Sequence, residues 1–229
     1  MILSGITKTL GEFTLSIERL IISKPGIYGL VGPNGSGKTT LAKLITGLIA
    51  PDSGIIDTQG LGSRDITLLT RKPYMMDDSV YNNLVYPLRL RNMLLQPDLI
   101  EHYLEIMGLA ERRKQKAKSL SSGEQQKLAL LRAFIFRPRL IVADEAMTAL
   151  DIHSLGFFEN MIYEEQIKDP VIWIIISHQM SHVRRLASRL FFMYNGNIEA
   201  EGSMGEISAA VSNPHLEQYL NVYGDGIQK

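Results

Sequence analysis

The chain has 229 residues, 45% of them hydrophobic, with 24 basic and 24 acidic side chains and no cysteine. That length suits one domain with a large core, or one core carrying a smaller lobe. A formal net charge of zero argues against whole-surface attraction to nucleic acid or anionic membrane, and the lack of cysteine excludes disulfides and thiolate metal sites.

Residues 1–11 lack the basic start and apolar stretch of a secretory signal. A strand is expected over 26–31, followed by Gly32-Pro33-Asn34-Gly35-Ser36-Gly37-Lys38-Thr39 and an apolar helical run over 41–48. Further strands are expected over 66–70, 140–143, 171–177 and 190–194, several apolar at every residue, as in a parallel sheet covered on both faces. Between them, roughly 74–136 reads as an inserted helical lobe. Pro97 opens a segment with Leu99, Ile100, Tyr103, Leu104 and Met107 at helical spacing, and Gly108 closes it. A second helix is expected over about 123–136. The most apolar run, 171–176, falls far short of the ~20 residues that a membrane-spanning helix needs, so any crossing is expected of another chain. Near the end, Asn195-Gly196 between apolar runs predicts a hairpin into 197–200. With no internal repeat or Gly/Ser linker, 1–229 reads as one domain with subdomains.

Residues 32–39 carry the full G-x-x-x-x-G-K-[ST] pattern between a predicted strand and a helix. The glycines let the chain curl so that backbone N–H groups point at phosphate oxygens, and the helix N-terminus adds partial positive charge. Lys38 is expected to reach the β- and γ-phosphates, and the Thr39 hydroxyl to ligate Mg²⁺. The plainer alternative is a glycine-rich turn capping an ordinary helix; the strand–loop–helix context weighs against it.

The apolar strand 140–143 runs into Asp144 and Glu145. A buried strand delivers side chains at its C-terminal edge, where α/β ligands bind. Asp144 suits Mg²⁺ through its water shell, and Glu145 is placed to polarise an attacking water. Such a pair is elsewhere often a solvent-facing acidic turn; the phosphate loop upstream favours the site.

Leu120-Ser121-Ser122-Gly123-Glu124-Gln125-Gln126 resembles the ABC signature motif, usually written LSGGQ. Thr148-Ala149-Leu150-Asp151 is similar to that family's D-loop, and Ser177-His178 ends the next strand where the family has its switch histidine, so that His178, which alone would read as a structural histidine, is expected to contact the γ-phosphate. The tail from Leu190 to Ile207 also resembles the family, so nearly the whole chain is covered. The resemblance implies an α/β P-loop NTPase core with a mostly parallel sheet, an N-terminal antiparallel β part and an inserted helical subdomain. It implies ATP and Mg²⁺ as cofactors, Lys38, Glu145 and His178 as catalytic residues, and Thr39 and Asp144 at the metal. The nucleotide would be contacted by Gly32 to Thr39, Thr40 and Arg71, and, from a second copy, by Ser121, Ser122, Gly123 and Asp151. Two chains would then sandwich two ATP molecules head to tail. Independently of the family, Ser121 and Ser122 each have Glu or Gln three residues on, the capping-box spacing.

The chain departs from the family in places. Arg71-Lys72-Pro73 occupies the Q-loop stretch, and arginine, unlike glutamine, cannot be a metal ligand. Arg71 either reaches phosphate directly, or coupling to the lobe differs, or it is a solvated surface residue. Leu10-Gly11 stands where an adenine-stacking aromatic is usual, with Phe13 nearby as a substitute. Ser122 and Glu124 replace a signature glycine and glutamine, and Ala146 a proline. None of these removes Lys38, Thr39, Asp144, Glu145 or His178, so an active ATPase is expected.

Cassettes of this size resemble the separate ATPase subunits of prokaryotic transporters, at the cytoplasmic face of the membrane. The partners implied are transmembrane permease subunits, a second ATPase chain and a solute-binding protein, with no nucleic acid. The stretch 74–88 resembles the region that receives a permease coupling helix, and the 10–13 start resembles molybdate or tungstate importer subunits. Two rivals remain: an ABC ATPase acting on nucleic acid or a soluble assembly, encouraged only by Arg112, Arg113, Lys114, Lys116 and Lys118, and a small-molecule kinase, disfavoured by the signature.

Overall fold

The computed structural model describes residues 1–147, 150–168, 170–178, 180–209 and 213–223. Thr148 and Ala149 of the D-loop resemblance lie outside the described residues. Strands β1 (Ile2–Leu10) and β2 (Phe13–Ile21) form an antiparallel hairpin, and β3 (Gly26–Val31) leads into helix α1 (Lys38–Ile45). β4 (Ser53–Asp57) returns antiparallel to β1, completing a sheet in the order β2-β1-β4. β5 (Ile66–Thr70) is followed by a mostly helical stretch: α2 (Val80–Leu90), α3 (Pro97–Ile106) and α4 (Ser122–Phe134). Then come β6 (Leu140–Asp144), α5 (Ile152–Lys168), β7 (Ile172–Ile176), α6 (Met180–Leu186), β8 (Arg189–Tyr194), β9 (Asn197–Gly202), α7 (Met204–Ala209) and α8 (Pro214–Tyr223).

The second sheet runs β5-β6-β7-β3-β8-β9, parallel except for the β8–β9 hairpin. The Asn195-Gly196 turn has positive φ at both residues, the twist a two-residue hairpin needs. The expected mostly parallel α/β sheet and the antiparallel N-terminal part are therefore present.

Strand alternation explains the all-apolar runs. In β6 and β7, Leu140, Val142, Ile174 and Ile176 pack with α1 and the N-terminal sheet. Ile141, Ala143, Trp173 and Ile175 pack instead with Leu128 and Leu131 of α4 and Phe158 of α5. Both faces are covered, so neither can be polar. The Phe134 ring sits 5.0 Å from Trp173 and 5.0 Å edge-on to Phe158, which ties α4 to α5 and β7. A third apolar cluster seats α6 and α8 against β8.

Helix α4 begins at Ser122 rather than 123, with Ser121 as its cap. The Glu124 amide donates to Ser121 Oγ (3.4 Å), and Glu124 Oε2 accepts from the Ser121 amide (2.9 Å). Of the two capping spacings, the Ser121–Glu124 pair forms the box; Ser122 is already inside the helix.

Candidate functional site

Parallel pairing in register sets the site. Thr70 of β5 lies opposite Asp144 of β6, and Asp144 opposite Ile176 of β7. The residues just beyond these strand ends, Arg71, Glu145 and His178, therefore meet at one sheet edge. His178 Nδ1 is 3.0 Å from Glu145 Oε1, and an Arg71 guanidinium nitrogen is 3.5 Å from Glu145 Oε2. Glu145 has φ +51°, a left-handed conformation uncommon outside glycine, and its amide donates to the Ile176 carbonyl (2.9 Å). The sharp turn this makes carries its side chain into the cleft instead of along the strand.

The phosphate loop spans the end of β3 and the start of α1. A methyl group on Gly32 would lie 2.0 Å from the Met193 carbonyl, and one on Gly37 (φ +103°) would lie 2.8 Å from the Phe13 ring. Neither position admits a side chain. Lys38 is buried, and its ammonium donates to the carbonyls of Gly32 (2.8 Å) and Pro33 (2.7 Å) and to Ser36 Oγ (3.2 Å). Burial lowers the Lys38 pKa, opposed by the nearby charges of Glu145 and Asp144. The Thr39 hydroxyl donates to Asp144 Oδ2 at 2.7 Å. Asp144 has a raised pKa, chiefly from burial.

Together these groups line a cleft of about 410 Å³, walled by Asn34, Gly35, Gly37, Lys38, Thr39, Thr40, Asp144 and Glu145, with Phe13 at one side. Curled backbone, a helix N-terminus and a buried ammonium suit a polyphosphate. One hydroxyl and one carboxylate suit Mg²⁺, which keeps several waters and takes its other ligands from phosphates. The geometry thus accommodates the cofactors that the sequence led us to expect.

Other expected site residues stand apart. Ser121, Ser122 and Gly123 do not line this cleft. Glu124 turns back into its capping box and pairs with Arg112 (3.0 Å), so its carboxylate is engaged within its own helix start. Asp151 caps the start of α5, accepting from the Ser154 amide (2.8 Å), and pairs with Lys127 of α4 (2.9 Å). These bonds hold its carboxyl well below the usual carboxylate range, the Ser154 amide contributing most. Leu10 stands half-exposed on β1, whereas Phe13, three residues on, reaches the phosphate loop.

Gln126 was missed in the sequence. It is buried on α4, its amide donates to the Thr70 carbonyl (3.4 Å), and its Oε1 has no hydrogen-bond partner. A glutamine flanked by Gln125 and Lys127 reads as surface, so only the fold reveals it.

The sheet, the loop and the acidic strand end define a P-loop nucleotide-binding domain. The ABC transporter family pattern matches residues 18–148. The tungstate uptake system ATP-binding protein TupC of Peptoclostridium acidaminophilum is 34% identical over 208 residues, covering 87% of this chain and 97% of that one. A methionine import ATP-binding protein, MetN 4 of Oceanobacillus iheyensis, is 28% identical over 96% of this chain and 69% of its own length. A solved ATP-binding subunit of an ABC transporter superposes with a TM-score of 0.85 at 19% identity, covering 98% of this chain and 99% of that one. The chain belongs to the ABC transporter family and is one of its ATPases.

Proposed function

We propose that this chain is the motor subunit of a prokaryotic importer, hydrolysing ATP as a head-to-tail homodimer at the cytoplasmic face of a transmembrane permease. One juxtaposition carries the transport reading. Beside β5, whose end leads to Arg71 and the cleft, an apolar groove of about 580 Å³ opens between α2 and α4. Ala129 and Ala133 of α4 line it with Tyr74, Tyr86 and Leu90, the last three exposed. An exposed apolar hollow of this kind fits a helix of another protein. Among the described residues no helix is long and apolar enough to cross a membrane, so the crossing would fall to that partner.

In this reading the chain is one domain whose helical subdomain, about 74–136, receives the permease. The Gly32–Thr40 backbone and Lys38 hold the triphosphate, and Thr39 and Asp144 hold Mg²⁺, which would supply positive charge beside the phosphates. Glu145 orients and deprotonates the attacking water, with His178 fixing its carboxylate. Ser121, Ser122, Gly123 and Asp151 act on the nucleotide of the second copy. The similarity to a tungstate uptake subunit supports an oxyanion such as tungstate or molybdate as cargo, delivered by a solute-binding protein. The nucleic-acid alternative is weakened, because three of the five residues of its basic cluster are ion-paired: Arg112 with Glu124, Arg113 with Glu101 and Lys116 with Asp77.

Co-purification of the tagged chain from detergent-solubilised native membranes tests this. A polytopic permease at stoichiometric yield is expected; a soluble partner or nucleic acid in its place overturns the transport role and leaves the ATPase.

A further inference from the structure

Arg71 is an ionic group at the cleft edge that departs from the family pattern, and its surroundings give it a job. The chain is held by α4 just before and a turn after it. Gln126 donates to the Thr70 carbonyl (3.4 Å), and Arg132 donates to the Tyr74 carbonyl (2.8 Å). The Arg71 side chain, in contrast, is 69% exposed and meets the largely buried Glu145 carboxylate at 3.5 Å. An ion pair this long, with its guanidinium mostly in water, adds little net stability, so it is readily exchanged.

The exchange partner is set by charge and shape. Glu145 offers one carboxylate, already met on its other oxygen by His178 at 3.0 Å. A γ-phosphate offers three oxygens and more charge, and a planar guanidinium matches phosphate geometry in a way that a neutral glutamine cannot. Glu145 lines the same cleft as Lys38 and Thr39, so a group paired to it stands at the edge of the phosphate site.

We infer that Arg71 is a two-position guanidinium: it holds Glu145 when the terminal phosphate is absent and transfers to the γ-phosphate when ATP is bound. Arg71 thereby adds to the discrimination of ATP from ADP, and Glu145 is released to orient water only when there is a phosphate to cleave. His178 keeps the released carboxylate in place. This rests on the nucleotide site proposed above and adds to it a residue-level source of selectivity.

The test is calorimetric titration of the full chain with ADP and with the non-hydrolysable β,γ-imido analogue of ATP, for wild type, Arg71→Gln and Arg71→Lys. Arg71→Gln is expected to lower the affinity ratio of ATP analogue to ADP about tenfold, with ADP affinity within about twofold of wild type. Arg71→Lys is expected to keep most of the ratio, since it retains a positive charge without the fork. A ratio unchanged in both variants overturns the inference, and so does an equal loss for both nucleotides, which is what a merely structural arginine would give. Wild type binding neither nucleotide would overturn the nucleotide site itself, and Arg71 with it.

Discussion

Phe13, rather than Leu10, is the residue of the N-terminal hairpin that stands beside the phosphate loop. The N-terminal hairpin turns between Leu10 and Phe13, and these two residues pair across it. Leu10 is left half-exposed, while the Phe13 ring packs over Gly37 at the entry to α1. A flat aromatic at the lip of a phosphate site presents a face to a base, and such stacking is worth ~1–3 kcal/mol. Phe13→Ala is therefore expected to weaken ATP binding about tenfold to a hundredfold, and Leu10→Ala by less than about twofold. Titration with a fluorescent nucleotide measures both; equal effects would return the base to the Leu10 side.

At the scale of elements, α8 is fastened to the β8–β9 hairpin, which pairs with the strand that feeds the phosphate loop. Asn213 caps it, accepting from the Leu216 amide (2.9 Å), and His215 stacks on Tyr194 at 3.8 Å while meeting Glu199 at 3.0 Å. One turn further, the buried Tyr219 hydroxyl lies beside the Gly32 backbone amide without forming a well-aligned hydrogen bond. Burial pushes the Tyr219 phenol up to about 12, from an ordinary value of 10.0. The sign follows directly. Below pH 10 the phenol is neutral in folded and unfolded chains alike, and the native state loses nothing. Above it the unfolded chain ionises while the folded chain resists, so stability falls as pH rises towards 12, by roughly 2–3 kcal/mol. Tyr219→Phe is expected to remove that part of the alkaline loss and to leave stability near neutrality almost unchanged. Urea denaturation of both proteins at pH 8, 10 and 11 measures it, and parallel pH profiles would show that the phenol is not shielded.

For the whole molecule, the proposed head-to-tail dimer calls for a second phosphate-binding surface. The start of α4 presents its helix N-terminus at Ser122 and Gly123, with Ser121 engaged by Glu124 in the capping box, and these residues lie outside the cleft of their own chain. Two copies arranged head to tail would bring each α4 start to the other's nucleotide. Glu145→Gln retains a side chain of the same shape but lacks a base, so the sandwich is expected to form and persist. Light scattering of this variant at saturating Mg-ATP should read twice the 25.7 kDa chain mass. A monomer under those conditions would count against Glu145 as the base that ends the ATP-bound state.

What the sequence determined by itself was whatever is written in consecutive residues. The phosphate loop, the apolar strand running into Asp144 and Glu145, the Ser121–Glu124 box and the Asn195-Gly196 turn each depend on backbone conformation over a few positions, so local chemistry identifies them. The strand ends of the larger sheet were legible to within a residue or two, because a sheet buried on both faces demands unbroken apolar runs such as those of β6 and β7, whereas the N-terminal strands β1, β2 and β4 were given no bounds. Only the tertiary structure decided what those pieces meet. Arg71 reaching Glu145, Phe13 packing over Gly37, Gln126 holding Thr70 and Tyr219 lying beside Gly32 all join residues distant in the chain. Their partners are chosen by parallel register and helix packing, and neither is encoded in the spacing of neighbours. For that reason the family could be read from the chain, whereas the charge balance around Glu145 and the hairpin residue that stands beside the phosphate loop required the fold.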